Sequence, residues 1–199
     1  MSRTVSLFVL SLVLFACPGP CPEGDCDGGE PSGCDSGKVL GAPNLLQNAG
    51  FECGDALEGW EAQFGSARVE TTAVRSGRNA ARLIADEAKT YVHLWHDADA
   101  VTAPASGTTY CAYAWVKGTA ANAHITVRRV GSNMDDNFSA PLSNSEWTRI
   151  PSESYGGLPA VAQGDSALLF RVFMKNAQQG DFLLIDDVAL WESVDGKCR

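Results

Sequence analysis

Thr109-Tyr110-Cys111-Ala112-Tyr113-Ala114-Trp115-Val116-Lys117 is the stretch that decides the fold. Side chains on a strand alternate sides with a period of two. Tyr110, Ala112, Ala114 and Val116 therefore make one apolar face, with Cys111, Tyr113, Trp115 and Lys117 on the other. Three further runs repeat the pattern. In Tyr91–Trp95, Val92 and Leu94 oppose Tyr91, His93 and Trp95. In His124–Val130, Ile125 and Val127 oppose His124, Thr126 and Arg128. In Leu168–Lys175, Leu168, Phe170 and Val172 oppose Arg171, Phe173 and Lys175.

Outward from these runs, short segments are separated by Gly, Asn, Asp, Ser and Pro, and no helical period of useful length appears. The spacing predicts strands at Leu45–Glu52, Ala67–Thr72, Ala80–Ala85, Glu146–Pro151 and Phe182–Trp191 as well. So many short strands in one chain predict an all-β sandwich. The loop Gly131–Asn137 reads as a solvated turn, or as the lining of a cleft.

The 199 residues fit one domain with appendages, and 45% hydrophobic residues suffice for a core. With 24 acidic against 15 basic residues, the net charge is -9 and no Lys/Arg cluster stands out. This argues against a nucleic-acid partner, which needs such clusters. There is no HExxH, no GxSxG and no glycine-rich phosphate loop. His93 and His96 are three apart on a strand and point to opposite sides, a poor metal pair. Asp97 and Asp99, or Asp135 and Asp136, imitate a glycosidase pair only by adjacency, whereas that chemistry needs carboxylates facing across a cleft. A non-enzymatic role is expected.

The amino terminus carries Arg3 and then an apolar run from Val5 to Phe15, the shape of a secretory signal. Leu14-Phe15-Ala16-Cys17 resembles the lipobox of bacterial lipoproteins, although Phe15 is larger than is usual there. The resemblance implies a signal at 1–16, a lipidated Cys17, and an exported chain anchored in the cell envelope, at the outer membrane or cell surface. A plain signal peptide cleaved elsewhere is the alternative. Residues 17–38 hold six Gly and four Pro in 22 positions and cannot bury a core, so 17–43 reads as a tether to a domain at 44–199.

Asn44-Leu45-Leu46-Gln47-Asn48-Ala49-Gly50-Phe51-Glu52, followed by Gly59-Trp60, resembles the opening of the carbohydrate-binding modules of families 4 and 9, the CenC type. These belong to the galactose-binding-like jelly rolls. Val74-Arg75-Ser76-Gly77-Arg78-Asn79-Ala80, Gly107–Lys117, Trp147 and Phe182-Leu183-Leu184-Ile185-Asp186-Asp187-Val188 match in order, so the likeness spans 44 to 191. It implies a jelly-roll β-sandwich that binds a glycan or polysaccharide without cleaving it. Trp60 and Trp147 match framework positions and are expected in the core.

A pyranose offers an apolar CH face for stacking on Trp or Tyr and hydroxyls for imidazole or guanidinium partners. Tyr91, His93, Trp95, Tyr113, Trp115, His124, Arg128 and Arg171 provide both, as a ligand surface or as cross-strand pairs that only stabilise the sheet. Two different roles fit the same fold: an envelope lipoprotein whose jelly roll contacts protein rather than sugar, and an accessory module for a glycoside hydrolase. The resemblance also implies a structural Ca²⁺ held by the side chains of Glu52 and Asp186 and backbone oxygens of Gly50 and Arg78, with Asp187 as a substitute. The competing role for Asp186 and Asp187 is to cap or pair at a strand edge.

Seven cysteines complete the reading. With Cys17 lipidated, Cys21, Cys26 and Cys34 remain in the tether and Cys53, Cys111 and Cys198 in the domain, so full pairing requires a bond between the two groups. A jelly roll brings its first and last strands together, which implies Cys198 bonded to a tether cysteine, Cys34 among them, and leaves Cys53–Cys111.

Overall fold

The computed structural model describes residues 37–54, 57–96 and 99–199. Cys17, with the tether cysteines Cys21, Cys26 and Cys34, lies outside the described residues. The strands are β1 (Lys38–Val39), β2 (Ala42–Pro43), β3 (Trp60–Gln63), β4 (Ser66–Glu70), β5 (Ala80–Ile84), β6 (Lys89–His96), β7 (Val101–Thr102), β8 (Thr109–Gly118), β9 (Asn122–Val130), β10 (Met134–Pro141), β11 (Thr148–Ile150), β12 (Leu158–Val161), β13 (Ala167–Ala177) and β14 (Phe182–Glu192). A single 3₁₀ turn, Glu153–Tyr155, is the one helical element among the described residues.

Two six-stranded antiparallel sheets face each other as a jelly-roll β-sandwich. The front sheet runs β10-β9-β13-β6-β3, with β7 pairing β13. The back sheet runs β11-β8-β14-β5-β4, with β12 pairing β8. Period-two alternation is what makes this possible, because each strand offers its apolar set to the space between the sheets. Val92, Leu94, Ile125, Val127, Leu168, Phe170 and Val172 fill it from the front, and Leu83, Ala112, Ala114, Val116, Leu183, Ile185 and Leu190 from the back. At about 1.5–3 kcal/mol for each large apolar side chain buried, this core is the main stabilising term. Trp60 belongs to it, its edge against His96 and Phe170.

Three expectations are corrected. Leu45–Glu52 is a chain of turns rather than a strand. Asn48 and Phe51 adopt φ of 47° and 58°, so Leu46, Ala49 and Phe51 all reach the core from irregular backbone. Only the first half of Gly131–Asn137 is a turn. Met134–Pro141 pairs with β9 as an edge strand, its alternation hidden because polar residues occupy both sides. Trp147 is half-buried and stays outside the core, since the residues before β11 run over the surface.

The cysteine pairing also differs: Cys111 is bonded to Cys198. Cys111 points outward from β8 on the back sheet, where Trp191 and the chain end pack over it. This excludes both Cys53–Cys111 and a bond from Cys198 to the tether. Gly156 allows the close approach of the tail, for a Cβ there would collide with the Cys198 carbonyl and its φ is +78°.

Candidate functional site

Register decides which outward side chains become neighbours. On the front sheet, Asn137, Thr126, Arg171, Trp95 and Glu61 form one cross-strand row, and Ser139, His124, Phe173, His93 and Gln63 form the next. Lys175 and Tyr91 sit opposite each other in a third. Six of the eight candidate residues, Tyr91, His93, Trp95, His124, Arg128 and Arg171, thus share one face. Phe173 lies at its centre. It was visible in the alternation of β13 as an outward aromatic beside Arg171 and Lys175, and it completes the ring platform.

The rings touch in a continuous set. His93 stacks on Trp95 with centroids 5.7 Å apart and packs at a tilt against Phe173 at 5.0 Å. His124 stacks on the other side of Phe173 at 4.8 Å, and Tyr91 closes edge-on to His93 at 5.6 Å. Arg171 lies over Trp95 at 4.8 Å and is paired to Asp135 at 2.8 Å, while Lys175 lies 5.6 Å above Tyr91. Burial, aided by the Arg171 charge, pushes His93 down to about 4; burial and Lys175 do the same to His124. Both imidazoles are therefore neutral at neutral pH, each with one N–H donor and one acceptor.

Four buried nitrogens on this face have no partner among the described residues: His93 Nδ1 and Nε2, Trp95 Nε1 and Arg171 Nε. Arg129 Nε and Asp136 Oδ2 also lack a well-angled hydrogen bond, but they lie 3.0 Å apart as an ion pair and count as satisfied. Arg82 Nε, on β5 of the back sheet, is likewise unpartnered, although its guanidinium pairs with Glu70 through Nη1. An unpaired buried polar group costs about 1–3 kcal/mol, so their concentration on one surface requires a cause.

Tyr113 and Trp115 do not belong to this face. They project from β8, so they lie on the outer side of the back sheet, across the whole core. There Arg75 caps Trp115 with its guanidinium carbon 3.8 Å from the ring centroid, and Arg149 caps Tyr113 at 4.1 Å. Arg149 also donates to the carbonyls of Pro151 and Gly156.

Asp97 lies outside the described residues; among the described ones, Asp135 and Asp136 do not face each other across a cleft. Asp135 points outward to Arg128 and Arg171, and Asp136 points the other way to Arg129. Glu61 and Asp135 flank the ring platform from β3 and β10, four strands apart. At roughly 4.8 Å per strand they are roughly 19 Å apart, against the roughly 5–9.5 Å of glycosidase pairs.

Two of the residues proposed for a cation, Glu52 and Asp186, both bond to the backbone of the turn Arg75–Asn79. Glu52 Oε1 accepts the amides of Arg78 and Asn79, at 2.7 and 2.9 Å. Gly77 carries no Cβ where Glu52 passes, and its φ of +62° suits glycine. Asp186 is fully buried and accepts the amides of Arg75, Ser76 and Asp187. Burial still pushes its carboxyl up to about 6. Asp187, in a β-bulge with φ of 43°, pairs with Arg75 and accepts the Ser76 hydroxyl. The bulge keeps Val188 and Leu190 facing the core. Gly50, Glu52 and Asp187 line a cleft of about 430 Å³. Among the described residues no three His, Cys, Asp or Glu side chains gather around one point. A cation here would depend on Glu52 and Asp186 plus backbone oxygens of Gly50 and Arg78, an all-oxygen set that fits a hard ion.

No protein-family model and no curated protein matches the chain. Solved structures do match its fold. A family 61 carbohydrate-binding module in complex with β-1,4-galactotriose is 20% identical, with 76% of this chain and 100% of that one covered and a TM-score of 0.57. The family 22 xylan-binding domain from Paenibacillus barcinonensis is 18% identical over 76% of this chain and 95% of its own, with a TM-score of 0.56. A family 16 carbohydrate-binding module is 18% identical over 74% and 99%, with a TM-score of 0.54. At these identities the likeness is one of fold.

Proposed function

We propose that the chain binds a polysaccharide, without cleaving it, on the outer face of the front sheet. The observation that carries this reading is the set of unpartnered nitrogens of His93, Trp95 and Arg171 within a platform of stacked rings. A saccharide supplies what that surface lacks. Its CH face packs on Trp95 and Tyr91, and its hydroxyls donate to or accept from neutral imidazoles and accept from a guanidinium. The galactotriose and xylan named for two structures of the same fold support a glycan as the ligand class. The separation of Glu61 from Asp135 favours binding over hydrolysis.

The test is affinity electrophoresis or calorimetry with xylan and β-1,4-galactan. Trp95→Ala is expected to weaken binding at least about tenfold, about 1.4 kcal/mol, while Trp115→Ala leaves it unchanged. No polysaccharide binding by the unaltered chain, or equal losses in both variants, sinks this assignment.

Three finer parts of the reading rest on the sequence. The pieces at Asn44–Glu52 and Phe182–Val188 favour the family 4 and 9 type among carbohydrate-binding modules. Lipid on Cys17, after removal of residues 1–16, makes the chain an envelope lipoprotein that displays the module beyond its tether. Intact-mass measurement of the membrane fraction tests this, and a water-soluble chain with an unmodified Cys17 refutes it. Ca²⁺ at Glu52 and Asp186 ties the Arg75–Asn79 turn to the closing strand. Saturating Ca²⁺ at 100 times its Kd would stabilise the fold by about 2.7 kcal/mol; a melting temperature indifferent to both Ca²⁺ and chelator removes the ion from the account.

A further inference from the structure

The back sheet holds a second cavity, a cleft of about 550 Å³ over Tyr113 and Trp115. Its charge is opposite to that of the chain. Lys38, Arg75, Arg149 and Arg199 line it against one acid, Glu153, in a protein of net charge -9. Arg75 is matched by Asp187, but Arg149 makes no ion pair among the described residues. Burial lowers Arg149 from the ordinary guanidinium value, while Tyr113 and Glu153 oppose that shift and Arg75 adds to it.

The fixing of Arg149 is what makes this a site rather than a patch of solvated charge. Bonds to the Pro151 and Gly156 carbonyls and the Tyr113 ring beneath it hold the guanidinium in one orientation. Two of its five N–H donors are used in those bonds. Arg75 is fixed in the same way between Trp115 and Asp187. Two positioned forks over a shared cleft match a planar carboxylate, which accepts parallel N–H bonds from such groups.

We propose that this cleft is a second ligand site, for a carboxylate-bearing saccharide unit, a uronate. The saccharide half rests on the function proposed above, and the carboxylate half rests on the arginines alone. The volume suits one or two sugar rings.

Calorimetry on the full chain with trigalacturonate, neutral galactotriose and a sulfated galactose oligomer tests the assignment. Trigalacturonate is expected to bind, and to weaken as salt is raised. Arg149→Lys keeps the charge but loses the fork, and Arg75→Gln keeps the Arg149 anchor. Each should lower uronate affinity about tenfold, about 1.4 kcal/mol, with Trp95→Ala leaving it unchanged. Absence of uronate binding, uronate binding indifferent to both arginine variants, or its loss in Trp95→Ala overturns the site. A sulfated oligomer that binds as tightly overturns the carboxylate assignment. Uronate binding at the arginines without any neutral polysaccharide binding refutes the front-face function while upholding this carboxylate site.

Discussion

The two outer faces of the sandwich are built from the same alternation and end in opposite conditions. On the front, Tyr91, His93, Trp95, Phe173 and His124 stack on one another and leave nitrogens unpartnered. On the back, Tyr113 and Trp115 are each capped by a guanidinium with partners of its own, and Cys111, Ala189 and Trp191 are sealed under the chain end. An outward aromatic is thus not in itself a binding residue. What covers it decides, and on the back the cover consists of residues distant in sequence.

The largest effect should come from removing that cover. The Cys111–Cys198 bond closes a loop of sequence separation 87. A cross-link of this kind stabilises chiefly by restricting the unfolded chain, by about 2–5 kcal/mol. Cys198→Ser should therefore lower the stability measured by urea unfolding by about that amount. Polysaccharide binding by the folded variant should persist, because the front face does not use the bond. A loss of glycan affinity equal to the loss at the back cleft would show that the two faces are not independent.

Titration should separate the faces next. His93 and His124 are held at about 4 in the fold and return to 6.5 when unfolded. Between those values the unfolded chain binds more protons, so their contribution is complete above pH 6.5 and is lost as pH falls toward 4. Two such shifts at ~1.4 kcal/mol per unit, discounted for partial exposure, amount to roughly 3 kcal/mol. Asp186, pushed up to about 6, acts in the opposite direction, but it cancels when parent and variant are compared. A His93→Gln/His124→Gln double variant should show a flatter stability profile from pH 6.5 to 4. Parallel profiles would mean that neither imidazole is kept neutral.

Much of this organisation was legible in the alternation. Tyr110, Ala112, Ala114 and Val116 lie inside as their parity requires, and so do Val92, Leu94, Ile125, Val127, Phe170 and Val172. Parity assigns a side but not a sheet, which is why Tyr113 and Trp115 looked equivalent to Tyr91 and Trp95. The sheet is fixed by long-range pairing of β8 with β14 and of β6 with β13. The edge strand β10 was obscured by acids on both its sides, Asp135 toward Arg171 and Asp136 toward Arg129. Arg75 and Arg149 carry no local signal either. Each reaches its ring from another segment, the Arg75–Asn79 turn or β11.

The smallest predicted effect tests the cations themselves. Lys175 lies over Tyr91 and Phe173 at 5.6 and 5.8 Å, is exposed, and makes no ion pair among the described residues. An exposed cation over a ring contributes ~0.5–1 kcal/mol at most. Arg149 combines its ring contact with two carbonyl bonds, each worth about 0.5–1.5 kcal/mol. Arg149→Gln should therefore cost about 2 kcal/mol in thermal or urea unfolding, and Lys175→Gln well under about 1 kcal/mol. Lys175→Gln should also let the His124 pKa rise, because the lysine charge is the second cause holding it down. That shift is readable by NMR even where the stability change is not. Equal costs for the two substitutions would remove the contrast between an exposed cation on the front and an anchored one on the back.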